Sequence, residues 1–382
     1  MASAPIVPVT AKILRTCILA ATCVLPLGCG SSGTPSVPAA PPTSQPQSSA
    51  KFAYVTNNHD NTLSMYTVSS TGVWTPTSPA TVATGTQPAV IVVDPQGKFA
   101  YVSNTRDATV GMYAINQTTG VLTPLSPATA PSGADPQDLT LHPSGNFAYT
   151  ADSVGGTITV FAVNRTTGQL VRTSTAAVPG NSVPDPVDVT VGPSGNFLYV
   201  VNGSSVNTYA IDATTGALTL QTDYVLYAGE RPFKVAFDST GQFAYVPDNG
   251  SSNVYEFSVD ATTGKLTPLS SSPVTAGNQP AWVAVDPTSK FAYVSNRLGS
   301  TVSAFNITSN SGLLTPASSN AASSVNFPWP IAFDPSGQIV YVLNEDGGSV
   351  TSYAPQSDGS LKYLNSVPTG ATPWSFALVP AS

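Results

Sequence analysis

Charged side chains interrupt a set of short apolar segments, each of which begins with a proline. Counted from that proline, the third position and those from the fifth onward are apolar, whereas the second position varies. It is charged or aromatic in four consecutive segments, at Asp138, Asp188, Lys234 and Trp282. A carboxylate there could activate water as a general base, and the lysine could stabilise a developing oxyanion. We therefore predict catalytic roles for the three charged residues and a binding role for Trp282.

The same residues also have a structural interpretation. A charge in an apolar strand is costly unless it is paired or solvated. Asp138 and Asp188 could accept hydrogen bonds from neighbouring backbone N–H groups, with Lys234 neutralising both. The carboxylates could also offer oxygen ligands to Ca²⁺, but no defined calcium-binding loop accompanies them. No metal ligands and no cofactor are therefore predicted.

Five further polar residues lie in segments predicted to be loops. Arg231 immediately precedes its proline and Glu345 follows an asparagine, so both are added as catalytic candidates. Arg297, Arg106 and His59 lie one or two residues after other asparagines and are binding candidates. A single loop charge is usually only solvated, so the clustering of these residues carries more weight than any one of them.

A repeated tyrosine phrase indicates the elements that must position these residues. Forms of the phrase are FAYVTN at Phe52–Asn57 and FAYVSN at Phe99–Asn104. Its tyrosines are separated by 47, 48, 50, 46, 48 and 48 residues. The seven tyrosines are Tyr54, Tyr101, Tyr149, Tyr199, Tyr245, Tyr293 and Tyr341. Strand-like phrases at a period near 48 are typical of a β-propeller, in which each repeat forms one four-stranded blade.

One repeat shows the plan of a blade. The second unit contains a first strand from Pro88, a turn at Asp94–Gly97, a second strand at Phe99–Asn104, a third at Thr109–Ile115, a hairpin turn at Thr118–Gly120 and an outer strand from Val121. Asp, Pro and Gly at the first, second and fourth places suit a type I turn. His142 replaces the aspartate of this turn in the third unit, on the predicted opposite face, and is therefore assigned a structural role.

The two ends of the chain predict how the ring closes. The repeats begin with a second strand, Phe52–Asn57, and end with an unpaired first strand, Pro373–Leu378. Pairing the two would remove exposed strand edges. We predict an all-β, seven-bladed propeller of four-stranded blades, closed by the C-terminal strand joining the N-terminal blade. First strands then start and second strands end on one face, where all the candidate residues lie.

The first fifty residues are predicted to be an export and tethering segment. Residues 1–28 contain Lys12, Arg15 and then an apolar run from Cys17 with about eleven apolar residues, too few to span a bilayer, which needs ~20. Gly28-Cys29 resembles the cleavage site of bacterial lipoproteins, which predicts lipidation of Cys29, although Pro26 replaces the usual leucine. Lipid anchoring to a bacterial membrane, in the periplasm or at the cell surface, is expected; ordinary secretion is the alternative.

The remaining chain is predicted to contain a linker at 29–50 and a single domain at 51–382. The linker is uncharged before Lys51 and rich in Ser, Pro and Ala, a composition typical of disorder. Without Lys12 and Arg15, 20 acidic and 11 basic residues leave a net charge of −9. An acidic domain with few cations is a poor nucleic-acid binder, so nucleic acid is excluded as a partner. Membrane contact is expected only through lipidated Cys29, and the domain is expected to be a monomer.

The repeat also carries a resemblance to a known family. Tyr54-Val55-Thr56-Asn57 is the YVTN motif, and it occurs with Asp-Pro-x-Gly turns and Thr-Gly-x-Leu-Thr-Pro hairpins. The chain, over about residues 51–380, resembles the seven-bladed β-propeller lactonases named for 6-phosphogluconolactonase. This resemblance implies hydrolysis of a sugar lactone or related ester. The Gly-Pro-Arg-His sequences common in that family are absent, and only Asn344-Glu345 matches its Asn-Glu pair.

Two functions remain open from the sequence. The first is a lactone hydrolase acting outside the cytoplasm, where a phosphorylated cytoplasmic metabolite is not an expected substrate. The second is a non-catalytic cell-surface propeller that binds carbohydrate or protein. The partner is accordingly a small-molecule lactone or carbohydrate, or a surface protein. Fold alone cannot choose between these functions.

Overall fold

The computed structural model describes residues 47–179, 185–221, 226–323 and 326–381. The predictions for the signal segment 1–28, for Cys29 and for most of the linker lie outside these ranges. Every regular element within them is a β-strand, and they contain no helix long and apolar enough to cross a membrane.

The strands form seven antiparallel sheets that follow one another along the chain. The first eleven strands are β1 (Ala50–Asn57), β2 (Thr62–Val68), β3 (Trp74–Ala83), β4 (Pro88–Val93), β5 (Phe99–Asn104), β6 (Thr109–Ile115), β7 (Leu122–Pro131), β8 (Pro136–Leu141), β9 (Phe147–Asp152), β10 (Thr157–Val163) and β11 (Leu170–Ala177). Strands β1–β3 belong to blade one, β4–β7 form blade two and β8–β11 form blade three.

Blades four and five each have an outer edge made of two short strands. Their strands are β12 (Pro186–Val191), β13 (Phe197–Asn202), β14 (Ser205–Ile211), β15 (Leu218–Leu220), β16 (Leu226–Tyr227), β17 (Ala236–Phe237), β18 (Phe243–Asp248), β19 (Asn253–Val259), β20 (Leu266–Pro268) and β21 (Val274–Thr275). Strands β15 and β16 both pair with β14, and β20 and β21 both pair with β19. Each of these blades therefore keeps the four-layer plan.

Blades six and seven complete the ring together with the last strand. Their strands are β22 (Pro280–Val285), β23 (Phe291–Asn296), β24 (Thr301–Ile307), β25 (Leu314–Ser323), β26 (Pro328–Phe333), β27 (Val340–Asn344), β28 (Ser349–Pro355) and β29 (Leu361–Pro368), followed by β30 (Pro373–Pro380). Strand β30 pairs with β1 in blade one, with Tyr54 opposite Ala377. The prediction of seven four-stranded blades closed by the C-terminal strand is confirmed.

The end of the predicted linker is bound to the ring. Asp334, in the turn between β26 and β27, accepts hydrogen bonds from the Ser48 hydroxyl (3.0 Å) and the Ser49 amide (2.8 Å). The Ser336 hydroxyl donates to the Gln47 carbonyl at 2.7 Å. Strand β1 also begins at Ala50, one residue before the predicted boundary. Residues 47–50 thus pack with the propeller, because the Asp334 carboxylate accepts hydrogen bonds from Ser48 and Ser49.

The repeated tyrosines connect adjacent blades. Five of the seven donate a hydrogen bond from the phenol to the carbonyl of a hairpin glycine in the next blade, as Tyr54 does to Gly120 at 2.8 Å. The corresponding bonds join Tyr149 to Gly216, Tyr199 to Gly264, Tyr245 to Gly312 and Tyr341 to Gly72. A Cβ atom on Gly120 would lie 2.4 Å from the ring of Phe52. The Phe and Tyr of one phrase therefore hold the same glycine hairpin of the following blade.

Candidate functional site

A β-bulge at the start of the inner strands presents side chains to the axis of the ring. In blade three, Pro136 pairs with Asp152 and Asp138 pairs with Ala151, so Gln137 is an extra residue without an opposite partner. The same shift follows Pro186 and Pro280. A bulge of this kind re-aims neighbouring side chains. As a result, Gln137 and Asp138 both face the central space although they are consecutive in the chain.

Asp138, Asp188 and Lys234 meet there as one charged cluster. The Lys234 Nζ lies 2.6 Å from Asp188 Oδ1 and 3.5 Å from Asp138 Oδ2. Asp138 Oδ2 also accepts the Val189 amide at 3.1 Å, and Asp188 Oδ2 accepts the Val235 amide at 3.0 Å. Each aspartate thus accepts a backbone hydrogen bond from the next blade. These are the contacts that the structural interpretation predicts, and they hold the cluster in a fixed geometry.

The cluster is buried at its carboxylate end and open at its lysine end. The side chains of Asp138 and Asp188 are 6% and 2% exposed, whereas that of Lys234 is 20% exposed. Burial raises the pKa of the Asp138 carboxyl to about 8; the Lys234 charge opposes this rise and the Asp188 charge adds to it. Burial by itself would lower the pKa of Lys234, but the two carboxylates raise it above its usual value. Lys234 is therefore a permanent cation beside an aspartate that titrates near neutral pH.

Aromatic rings surround the cluster. The Lys234 Nζ lies 4.6 Å from the centre of the Trp282 ring, a cation–π distance. Trp329 packs against Phe233 (4.6 Å between ring centres) and Trp374 (5.2 Å). Of these rings, only Trp282 was among the predicted site residues. Phe233, Trp329 and Trp374 each occupy the first position after a leading proline. Three aromatic residues at that one position are a signal that the sequence contains.

The arginine candidates occupy two different environments. Arg297 forms an ion pair with Glu345, with its Nη2 at 2.8 Å and its Nε at 3.1 Å from Glu345 Oε2. Its guanidinium also lies 4.7 Å from the centre of the Trp329 ring. Arg231 is exposed at the rim. Glu345 therefore holds Arg297 in place, and Arg231 is free to reorient towards a bound ligand.

These residues line a central cavity of about 410 Å³ around the ring axis. Every blade contributes a side chain to its wall. From blade one to blade seven they are Trp374, Val90, Asp138, Asp188, Lys234, Trp282 and Trp329. Arg231 and Arg297 also line it, so the structure brings together six of the nine predicted site residues outside the export segment. The volume lies within the range of small-molecule sites, roughly 300–1,000 Å³.

Three of the predicted site residues do not line the central cavity. Glu345 reaches it only through Arg297. Arg106 lines a neighbouring cavity, where its Nε donates to Gln87 at 2.9 Å. His59 is exposed, and its backbone amide donates to the Thr372 hydroxyl. The described ranges contain no group of three or more His, Cys, Asp and Glu side chains placed to hold a metal ion.

Comparison with protein families identifies the fold's lineage. A family model described as "Lactonase, 7-bladed beta-propeller" matches residues 44–187, 130–278 and 270–376, which together span most of the chain. The chain belongs to this lactonase family. No curated protein matches this chain.

Several solved structures share the propeller of this lactonase-family chain. A candidate 6-phosphogluconolactonase from Bacteroides fragilis is 22% identical, with a TM-score of 0.77 over 89% of this chain and 100% of that one. A periplasmic gluconolactonase from Pseudomonas aeruginosa is 19% identical, with a TM-score of 0.74 over 87% of this chain and 99% of that one. At these identities the likeness establishes the fold, and the chemistry must be argued from the central cavity.

Proposed function

We propose that this protein hydrolyses a sugar lactone, or a related ester, in the central cavity and acts outside the cytoplasm. The observation that carries the proposal is the buried Asp138–Asp188–Lys234 cluster, which opens into a cavity walled by tryptophan rings. A cavity of this kind combines a base, a cation and flat apolar surfaces suited to a sugar ring. The lactonase family and the gluconolactonase relative support the reaction class, and the Gly28-Cys29 sequence supports export.

We propose different roles for the two aspartates on the basis of their hydrogen bonds. Asp188 accepts from Lys234, from the Val235 amide and from the Thr190 hydroxyl at 3.1 Å, so its oxygens are well occupied. Asp138 has the longer 3.5 Å approach to Lys234, one amide bond and a side-chain interaction with Asp188. Its raised pKa makes it a stronger base than an ordinary carboxylate once it is ionised. We assign Asp138 as the general base and Asp188 as the residue that positions Lys234.

The reaction then follows from this arrangement. Asp138 takes a proton from water as the water oxygen attacks the lactone carbonyl carbon. Lys234, with Arg231 or Arg297, stabilises the oxyanion of the tetrahedral intermediate. The bond between the carbonyl carbon and the ring oxygen breaks, and the ring oxygen receives the proton held by Asp138. The product is an open-chain hydroxy acid, whose carboxylate leaves past the cations at the rim.

The test is turnover of a panel of aldonolactones by the purified domain. Asp138→Asn should lower kcat by about 10²-fold or more, because it removes the base but keeps an oxygen that can accept the Val189 amide bond. Lys234→Met should also lower kcat, while Asp188→Asn should have a smaller effect. His59→Ala is the control, since His59 lies outside the central cavity. Unchanged turnover in the Asp138 and Lys234 variants would overturn the site assignment.

A second function is favoured by a specific observation. The charged groups of the cluster are all satisfied by one another and by backbone amides, as in a scaffold whose cavity only binds. A non-catalytic cell-surface propeller that binds carbohydrate or protein through the tryptophans fits that feature. Absence of turnover on every lactone, together with measurable sugar binding that Trp282→Ala weakens, would establish this alternative.

A further inference from the structure

A second cavity adjoins the central one on the same face. It has a volume of about 500 Å³ and lies over blades one to three. We call it the side cavity and define it by the residues that line it alone, among them Asn58, Gln87, Thr105, Arg106, Ala134 and Val154. Its size also falls within the range of small-molecule sites, roughly 300–1,000 Å³.

The two cavities share one wall. Asp135, Gln137 and Trp374 line both of them. Asp135 is fixed in position, since its Oδ2 accepts the Ser153 hydroxyl at 2.8 Å and its carbonyl accepts the Ser153 amide at 3.0 Å. Its left-handed backbone, with φ of 57°, recurs before the leading proline in other blades, as at Gln87 and Gln279, and so belongs to the repeat. The shared wall is therefore held by the repeat itself and by the Ser153 hydroxyl bond to Asp135.

The side chains of the side cavity favour an uncharged, hydroxyl-rich ligand. Its polar groups are mainly amides and hydroxyls, from Asn58, Gln87, Thr105 and Gln137. One cation, Arg106, and one carboxylate, Asp135, balance in charge. Trp374 offers a half-buried ring at the junction. A sugar unit matches this combination of one flat apolar surface and many neutral hydrogen-bonding groups, whereas a phosphate would call for several cations.

We infer that the protein prefers an extended lactone, in which the lactone ring occupies the central cavity and a second sugar unit occupies the side cavity. The substrate class is then the lactone of a disaccharide aldonic acid. This inference rests on the proposed lactonase function and adds the subsite that selects the longer substrate. Trp374, Gln137 and Asp135 line both cavities and would contact the substrate where its two sugar units join.

The experiment compares gluconolactone with maltobionolactone. Ala134→Trp and Val154→Trp would each fill the side cavity from an exposed loop, where a larger side chain is tolerated by the fold; Val154 is 76% exposed. Wild type should show a higher kcat/KM for maltobionolactone. Each variant should lower that value by about tenfold and leave kcat/KM for gluconolactone within about twofold. Lys362→Ala, at an exposed position of β29 that lines neither cavity, should change neither.

Two results would overturn the inference while leaving the lactonase function intact. One is equal kcat/KM for the two lactones in wild type, and the other is an equal loss on both lactones in the tryptophan variants. If neither lactone is turned over, the proposed function fails. Calorimetric binding of maltobionate and gluconate then tests whether the side cavity is a sugar subsite. Tighter binding of maltobionate that Ala134→Trp abolishes supports the side cavity as a sugar subsite. Equal binding of the two acids contradicts it.

Discussion

At the residue scale, Asp138 links burial to catalysis. Its pKa is raised to about 8 by burial, and a general base acts only when it is ionised. We therefore expect kcat/KM for a lactone to rise as pH increases through about 8 and to level off only above that pH. Stability should change in the opposite direction: the folded pKa lies above the unfolded value of about 3.9, so stability falls as pH rises between the two. A rate profile with its midpoint near pH 4 would rule out Asp138 as the base.

Glu256 provides a second prediction at this scale, far from the site. Its Oε1 accepts the Leu314 amide at 2.6 Å, but its buried Oε2 has no hydrogen-bond partner. In two other blades the corresponding acceptor is a methionine sulfur, at Met65 and Met112. Burial raises the pKa of Glu256, so its ionised form destabilises the fold progressively as pH rises above the unfolded pKa.

Glu256→Met should therefore stabilise the protein, by about 1–3 kcal/mol at neutral pH, and the gain should grow from pH 4 to pH 7. Chemical unfolding of both proteins across that range measures the difference. Met112→Leu is a control that removes an acceptor without removing a charge, and its effect should not depend on pH. A lower stability of Glu256→Met at pH 7 would show that the carboxylate has a stabilising partner.

At the element scale, adjacent blades are joined where the tyrosine phrase of one blade packs against the glycine hairpin of the next. Tyr199 donates to the Gly264 carbonyl at 2.9 Å, whereas the buried Tyr101 hydroxyl has no hydrogen-bond partner. Tyr199→Phe should lower the free energy of unfolding by about 1 kcal/mol, since it leaves a carbonyl unpaired. Tyr101→Phe is the matched control and should be neutral or stabilising. Denaturant titration measures the free energy of unfolding of both variants. An equal loss of stability in both would mean that the contribution of the tyrosine comes from ring packing and not from the hydrogen bond.

Sequence alone accounts for much at this scale. The tyrosine phrase, which occurs seven times, and the Asp-Pro-x-Gly turn, which occurs six times with variants, predict the blades because each is a repeated local signal. The alternation of side chains in a strand, however, predicts that only every second residue faces the axis. The bulge after the leading proline breaks that rule, so Phe233, Trp329 and Trp374 also line the central cavity. Their shared position after the proline is visible in the sequence, but strand alternation alone turns that position away from the axis.

The loop candidates show a different limit. Arg106 lies two residues and Arg297 one residue after equivalent asparagines at the ends of second strands, and one lines the side cavity while the other lies over the Trp329 ring in the central cavity. Each guanidinium is then held by its own partner, Gln87 or Glu345. Such partners come from other loops or blades, so the spacing within one repeat carries no information about them.

At the scale of the whole molecule, the ring depends on its last strand. Strand β30 supplies the inner strand of blade one and Trp374, which lines both cavities. Val379 is 2% exposed within the core that blade one shares with blade two, and such burial contributes roughly 1.5–3 kcal/mol for one side chain. Without β30, strand β1 becomes an open edge with unpaired backbone groups.

Deletion of residues 373–382 should therefore remove cooperative thermal unfolding and cause aggregation, as measured by calorimetry and light scattering. The matched control is a circular permutant that joins residues 373–380 to Ala50 through an Asp-Pro-Ser-Gly turn, as other blades join their first and second strands. The ends meet closely enough for this, because Pro380 pairs with Ala50. The permutant should melt cooperatively and retain the central cavity. A cooperative melt of the deleted protein would show instead that six complete blades close without the seventh inner strand.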